Sequence, residues 1–156
     1  MSKFIKTNIE QTKVFLSNLD GFKKLSDKDL LEVAELMQLQ SFEKNEVIFR
    51  ENDRPEAFYL IESGAVNIHR GKRIIATYYE QQIFGEMGIP DELPRRATVT
   101  VEQDSKIFLL PAEKLIRMIE VSDALNHFFD ELINLRLAIA ISVSYTHLTL
   151  PTIYSV

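Results

Sequence analysis

The sequence predicts a mainly β domain, a sandwich or barrel of antiparallel strands, with helices on either side of it. Three observations predict this. Short apolar runs rich in β-branched and aromatic residues recur between residues 39 and 110. Turn-forming residues separate most of those runs. Before and after them, apolar residues recur at helical spacing instead.

In chain order, a short helix is expected around residues 11–18, ending near Asp20-Gly21. Ser26 then offers a helix cap, with Asp29 three residues on as a weaker form of the Ser-x-x-Glu box. Leu30, Leu31, Val33, Ala34, Leu36 and Met37 follow at helical spacing. From Leu39 the period changes. Expected strands centre on Val47-Ile48-Phe49, Phe58-Tyr59-Leu60-Ile61, Val66-Asn67-Ile68, Ile74-Ile75-Ala76-Thr77, Ala97 to Val101 and Lys106 to Leu110. Expected turns are Lys44-Asn45, Asn52-Asp53, Ser63-Gly64, Gly71-Lys72 and Asp104-Ser105. Pro111 suits the start of a helix carrying Leu115, Ile116, Met118 and Ile119. Ser122 or Asp123 caps the next one. There Phe128, Leu132, Leu135 and Ile139 recur at spacings of 4, 3 and 4, a heptad-like seam. A second stripe, Leu125, Phe129, Ile133 and Leu137, lies beside it. One stripe can meet a partner helix while the other covers the β domain, or both form one broad face on the chain's own domain.

The chain has 156 residues, which suits one domain. It is 46% hydrophobic and 26% charged, too apolar for disorder. It has no cysteine, so disulfides, thiolate metal sites and cysteine nucleophiles are excluded. No apolar run approaches the ~18 residues of a membrane span, and the first residues lack the apolar core of a secretion signal. A cytoplasmic setting is the expectation. The net charge of −5 argues against nucleic-acid binding by these residues alone.

The informative segment runs from Phe84-Gly85-Glu86-Met87-Gly88-Ile89 to Pro94-Arg95-Arg96-Ala97-Thr98-Val99. Gly85 and Gly88 let backbone approach a ligand closely, and amides at such a turn can cradle an anion. Arg95, nine residues after Glu86, offers a planar fork suited to phosphate. Glu86 can accept from a sugar hydroxyl. The combination fits a ribose phosphate, although a salt bridge between Glu86 and Arg95 would use the same residues.

These residues resemble the cyclic nucleotide-binding domain shared by catabolite activator regulators and the regulatory subunits of cyclic-AMP-dependent kinase. The stretch FEKNEVIFRENDRPEAFYLIESGAVNI is similar to that family's first half, and FGEMGI…PRRATV to its phosphate-binding cassette. The resemblance covers about Phe15 to Ile141. It implies a jelly-roll-like double-stranded β-helix barrel with flanking helices. It implies Arg95 on a cyclic phosphate, Glu86 on the ribose 2′-hydroxyl, and Gly85, Met87 and Gly88 lining a short helical turn. Arg96, Ala97 and Thr98 complete the expected ligand-binding set. Cyclic AMP is favoured over cyclic GMP on family frequency, with Arg136 the one polar candidate for a base contact on the last helix.

The chain departs from the family at several positions. Asn45 and Asn52 stand where glycine is frequent, and asparagine tolerates the left-handed turn nearly as well. Gln81-Gln82 replaces a Gly-Asp pair, so that turn is expected to be built differently. Arg96 stands where a small or hydroxyl residue is common. It is either a solvated side chain or a second contact to phosphate or partner.

The sequence points to no enzyme and no metal site. His69, His127 and His147 form no His-x-His pair, no serine sits in a Gly-x-Ser-x-Gly turn, and Asp91-Glu92 is an adjacent pair in a loop. The resulting organisation is N-terminal helices over 1–38, a β-roll over 39–110 with the cassette at 84–98, C-terminal helices over 111–142, and a non-native tail over 143–156. The tail, Val143 to Thr152, resembles a translated sequencing-library adapter, and the natural frame is expected to end near Ser142. The expected function is an allosteric cyclic nucleotide sensor. It is most simply a homodimeric transcription regulator cut before its helix-turn-helix domain. Alternatives are a regulatory module of another multidomain signalling protein and a non-binding scaffold.

Overall fold

The computed structural model describes residues 3–85 and 93–131. In chain order the elements are β1 (Lys3–Ile5), α1 (Ile9–Ser17), α2 (Asp27–Leu36), β2 (Gln38–Phe42), β3 (Val47–Phe49), β4 (Ala57–Arg70), β5 (Arg73–Tyr78), β6 (Ile83–Phe84), β7 (Thr98–Pro111) and α3 (Ala112–Val121). A further helix, α4, covers 123–131. The strands form one antiparallel sheet in the order β1-β2-β7-β4-β5, with β3 on β7 and β6 on β4. The sheet does not close. This is the mainly β architecture with flanking helices that the sequence predicts.

The helix starts follow from their caps. Asn8 Oδ1 accepts from the amides of Glu10 (2.8 Å) and Gln11 (3.3 Å), and Ser26 Oγ from that of Asp29 (3.1 Å). Ser122 Oγ accepts from the amide of Leu125 at 3.3 Å, so Ser122 rather than Asp123 opens α4.

Alternation along β4 and β7 builds two cores. Phe58 and Leu60, with Phe108 and Leu110, face the helices and meet Leu16, Phe22, Val33, Leu115, Leu125 and Phe129. Tyr59 and Ile61, with Ile107, face the other way, into the roll interior with Phe49, Phe84, Val99 and Val101. The two sides of the long ribbon therefore serve different tasks: one anchors helices, and the other lines the interior where the candidate site lies.

The structure corrects four expectations. Ser63-Gly64 and Asp104-Ser105 are not turns. Each lies inside a 14-residue strand, at a zone of register shifts between β4 and β7. From Ile61 to Val66 is five steps, whereas their partners Ile107 and Val101 are six apart. The six steps on β7 keep its parity, and the irregular backbone of β4 at Gly64 turns Val66 and Ile68 to the same interior as Ile61. Gly64 is required there. Its φ is +106°, and a Cβ would lie 2.0 Å from Ser105 Oγ and 2.7 Å from Ser105 Cα. Second, the 1–38 region is not only helical, since β1 precedes α1 and pairs with β2. Third, the two-residue β6 was too short to show a run of its own.

The fourth correction concerns Phe128. It is 9% exposed, its ring centroid lies 4.6 Å from that of Phe22, and a Cβ on Gly21 would come within 2.6 Å of its edge. Phe129 meets Phe58 edge-on at 5.4 Å and Leu125 is fully buried. Both stripes thus turn toward the chain's own core in this part of α4, because the aromatic side chains of Phe22 and Phe58 supply the apolar surface. Leu132, Leu135 and Ile139 lie outside the described residues, as does the 143–156 tail.

Candidate functional site

The site is organised around Arg95, which is 2% exposed despite its charge. Its backbone is bracketed by the turn after β3. The Asn52 amide donates to the Arg95 carbonyl (2.7 Å), and the Arg95 amide to the Asp53 carbonyl (2.8 Å). That turn is possible because Asn52 takes φ +76°, as its sequence position predicted, and because Asp53 Oδ2 accepts from the Arg50 amide at 2.9 Å.

The Arg95 side chain then runs inward. Nη1 donates to the Gly85 carbonyl at 2.7 Å, Nη2 donates to the Ala57 carbonyl at 2.5 Å, and the guanidinium carbon lies 4.1 Å from the Phe49 ring centroid. A buried cation needs compensation of this kind, from carbonyl dipoles and an aromatic face. Gly85 faces the same fork. Its φ is +80°, and a Cβ there would sit 3.3–3.4 Å from the Arg95 Nη atoms and 3.1 Å from Tyr59. Glycine at 85 therefore serves both the turn and the close approach of the guanidinium.

Tyr59 completes the floor, stacked on Phe84 with centroids 5.0 Å apart and an interplanar angle of 9°. Burial raises its hydroxyl pKa above the ordinary value of 10.0, while the Arg95 charge pulls it down. A cavity of about 310 Å³ is lined by Phe49, Asp53, Arg54, Glu56, Tyr59 and Arg95. The arrangement is a fixed, planar, permanently charged donor beside a glycine turn, on an aromatic floor and sheltered from water. Chemically, it suits an oxyanion with an attached ring.

Of the expected ligand-binding residues, the structure brings Gly85 and Arg95 together directly. Ala97 is fully buried in the roll interior. Thr98 is half-buried, and its Oγ1 accepts from the Glu51 amide at 3.1 Å. Arg96 is exposed, just before β7, and its carbonyl accepts from Arg70 Nε at 2.9 Å. Glu86, Met87 and Gly88 lie outside the described residues. Sequence reasoning missed Phe49, Tyr59 and the Ala57 carbonyl. The first two share the interior-facing parity of their strands, a signal that was available; a backbone carbonyl has none.

The turn before the cassette is built as an unusual one. Gln81 takes φ +68°, and the Gln81 amide donates to the Ile61 carbonyl (2.8 Å). The Ile61 amide returns a bond to the Gln82 carbonyl (3.1 Å), and Gln82 Oε1 accepts from the Tyr79 amide (2.6 Å). The Gln81-Gln82 pair thus fixes β6, and with it Gly85, against β4.

Residues 39–122 match the family described as the cyclic nucleotide-binding domain. The chain belongs to that family. Among curated relatives, it is 31% identical over 125 residues to the cAMP-dependent protein kinase regulatory subunit of Yarrowia lipolytica, covering 74% of this chain and 33% of the relative. It is 25% identical over 134 residues to the type II regulatory subunit of Drosophila melanogaster, covering 84% and 36%. The sensor domain of the transcriptional regulator DNR from Pseudomonas aeruginosa superposes with a TM-score of 0.68 at 24% identity, over 80% of this chain and 92% of that one. The last likeness confirms the fold. The chain spans 19% to 36% of the length of the curated relatives it matches. Domains of this family are regulatory, and no catalytic family is indicated.

Proposed function

We propose that this chain is the cyclic nucleotide sensor of an allosteric signalling protein. It binds cyclic AMP in preference to cyclic GMP and catalyses nothing itself. The observation that carries the reading is the buried Arg95 fork, aimed at the Gly85 turn over an aromatic floor. A cyclic phosphate entering there exchanges two carbonyl dipoles for a full negative charge, a stronger partner for a guanidinium. Glu86 then takes the ribose hydroxyl, Gly85, Met87 and Gly88 close around the phosphate, and Ala97 and Thr98 border it, while Arg96 stays exposed outside it. The base choice rests on the regulatory subunits of cAMP-dependent kinase among the relatives.

Isothermal titration with both nucleotides tests the reading. Cyclic AMP is expected to bind more tightly than cyclic GMP. Arg95→Ala is expected to weaken binding by about 1.5–3 kcal/mol, the scale of hydrogen bonds to a charged group. No heat with either nucleotide would leave the chain a scaffold, and unchanged affinity in the variant would reject the site.

The output half of the protein is a helix-turn-helix domain in one reading and another signalling domain in the second. The kinase regulatory subunits among the relatives favour the second. Both readings place the protein in the cytoplasm. Among the described residues no helix is long and apolar enough to cross a membrane. A homodimer through the seam of Leu132, Leu135 and Ile139, without Phe128, remains part of the proposal. Light scattering at high concentration is expected to give twice the chain mass; a monomer would remove the seam from the account.

A further inference from the structure

At one end of the roll, next to but outside the aromatic floor, lies a depression of about 590 Å³. Arg70 and Arg96 line it with Arg95, whose guanidinium is taken up by the Gly85 and Ala57 carbonyls, against one carboxylate, Glu51. This concentration of positive charge stands out in a chain with a net charge of −5. Arg70 is aimed rather than loose, because its Nε donates to the Arg96 carbonyl at 2.9 Å. That bond spends one of five donors and fixes the plane of the fork. Arg73 is the register partner of Arg70 across the β4–β5 hairpin, and directly opposed residues share a face. The intervening Gly71-Lys72 turn is exposed and adds a fourth exposed or half-exposed cation to Arg70, Arg73 and Arg96.

We propose that this end of the roll is a docking site for a short acidic segment of a partner protein, whose carboxylates are held by Arg70, Arg73 and Arg96. Planar guanidinium forks match carboxylates in pairs of hydrogen bonds. A polyphosphate chain needs a longer basic stripe than this compact cluster of guanidinium groups offers.

The test uses the full chain and a fluorescein-labelled hexa-aspartate peptide, read by fluorescence anisotropy. Saturable binding is expected, weakening as salt rises. Arg70→Gln/Arg73→Gln is expected to lower the affinity at least about tenfold with its unfolding midpoint unchanged. Should the double variant fail to fold, Arg73→Gln alone, on an exposed edge position, is expected to show a smaller loss in the same direction. Saturating cyclic AMP is expected to leave the peptide bound. Equal binding by the variants, or no binding by the parent at low salt, overturns the proposal. Displacement by cyclic AMP assigns the depression to the nucleotide pocket instead, and tighter binding of a thymidine oligonucleotide assigns it to nucleic acid; either overturns it.

Discussion

Among the described residues, three other than glycine occupy the left-handed region, Asn45 (φ 77°), Asn52 (φ 76°) and Gln81 (φ 68°). The two asparagines were legible in the sequence because their side chains suit that conformation. Gln81 was not, since nothing in glutamine favours it. The turn between β5 and β6 imposes it, through the bonds of residues 81 and 82 to Ile61. Gln81→Gly removes that steric cost but loosens the unfolded chain by a partly offsetting amount. The net expectation is neutral to stabilising by up to about 1 kcal/mol in urea unfolding. A loss larger than that would mean the Gln81 side chain contributes something its backbone does not.

The turn signals at Ser63-Gly64 and Asp104-Ser105 misled at the level of elements because a bulge and a turn call for similar residues. Both need a permissive backbone and a short polar side chain, and only the partner strand decides between them. Here Ser105 Oγ donates to the Gln103 carbonyl (2.6 Å) and accepts from the Ala65 amide (3.1 Å), closing the irregularity across the ribbon. Helix α4 shows the same ambiguity. Its heptad-like spacing is real, but spacing does not say which surface a stripe meets. Phe128→Ala is expected to cost about 3–5 kcal/mol, as for a large core truncation. Chemical denaturation measures it. A small loss of stability with a halved particle mass would instead return Phe128 to a dimer seam.

Across the whole molecule, β4 and β7 join a helical core to a roll interior, with one face of each strand in each. Tyr59 gives a measurable sign of burial on the interior side. Its pKa is raised in the folded chain by burial, with Arg95 opposing, so the folded state keeps its proton to higher pH than the unfolded state does. The corresponding stability is fully present below pH 10.0 and is lost as pH rises through the folded value. Denaturation midpoints taken over roughly pH 9 to 11 are expected to fall with pH, and Tyr59→Phe to flatten that fall. A parent protein with no alkaline decline beyond that of the variant would count against a buried, protonated Tyr59.

The sequence by itself determined the class of fold, the helix cap at Ser26, the left-handed asparagines and the pairing of a glycine turn with Arg95. Each is encoded locally, in residue type and short-range spacing. Tertiary structure alone decided the direction of the Arg95 side chain, the carbonyls of Gly85 and Ala57 that receive it, the aromatic floor, the conversion of two apparent turns into one bent ribbon, and the inward turn of Phe128. Those features depend on groups brought together from 10 to more than 100 positions away in the chain, as with Arg95 on Ala57 (38 apart), Ser105 on Ala65 (40 apart) and Phe128 on Phe22 (106 apart). No local pattern carries such pairings, because they are set by which faces must be buried together once the sheet has formed.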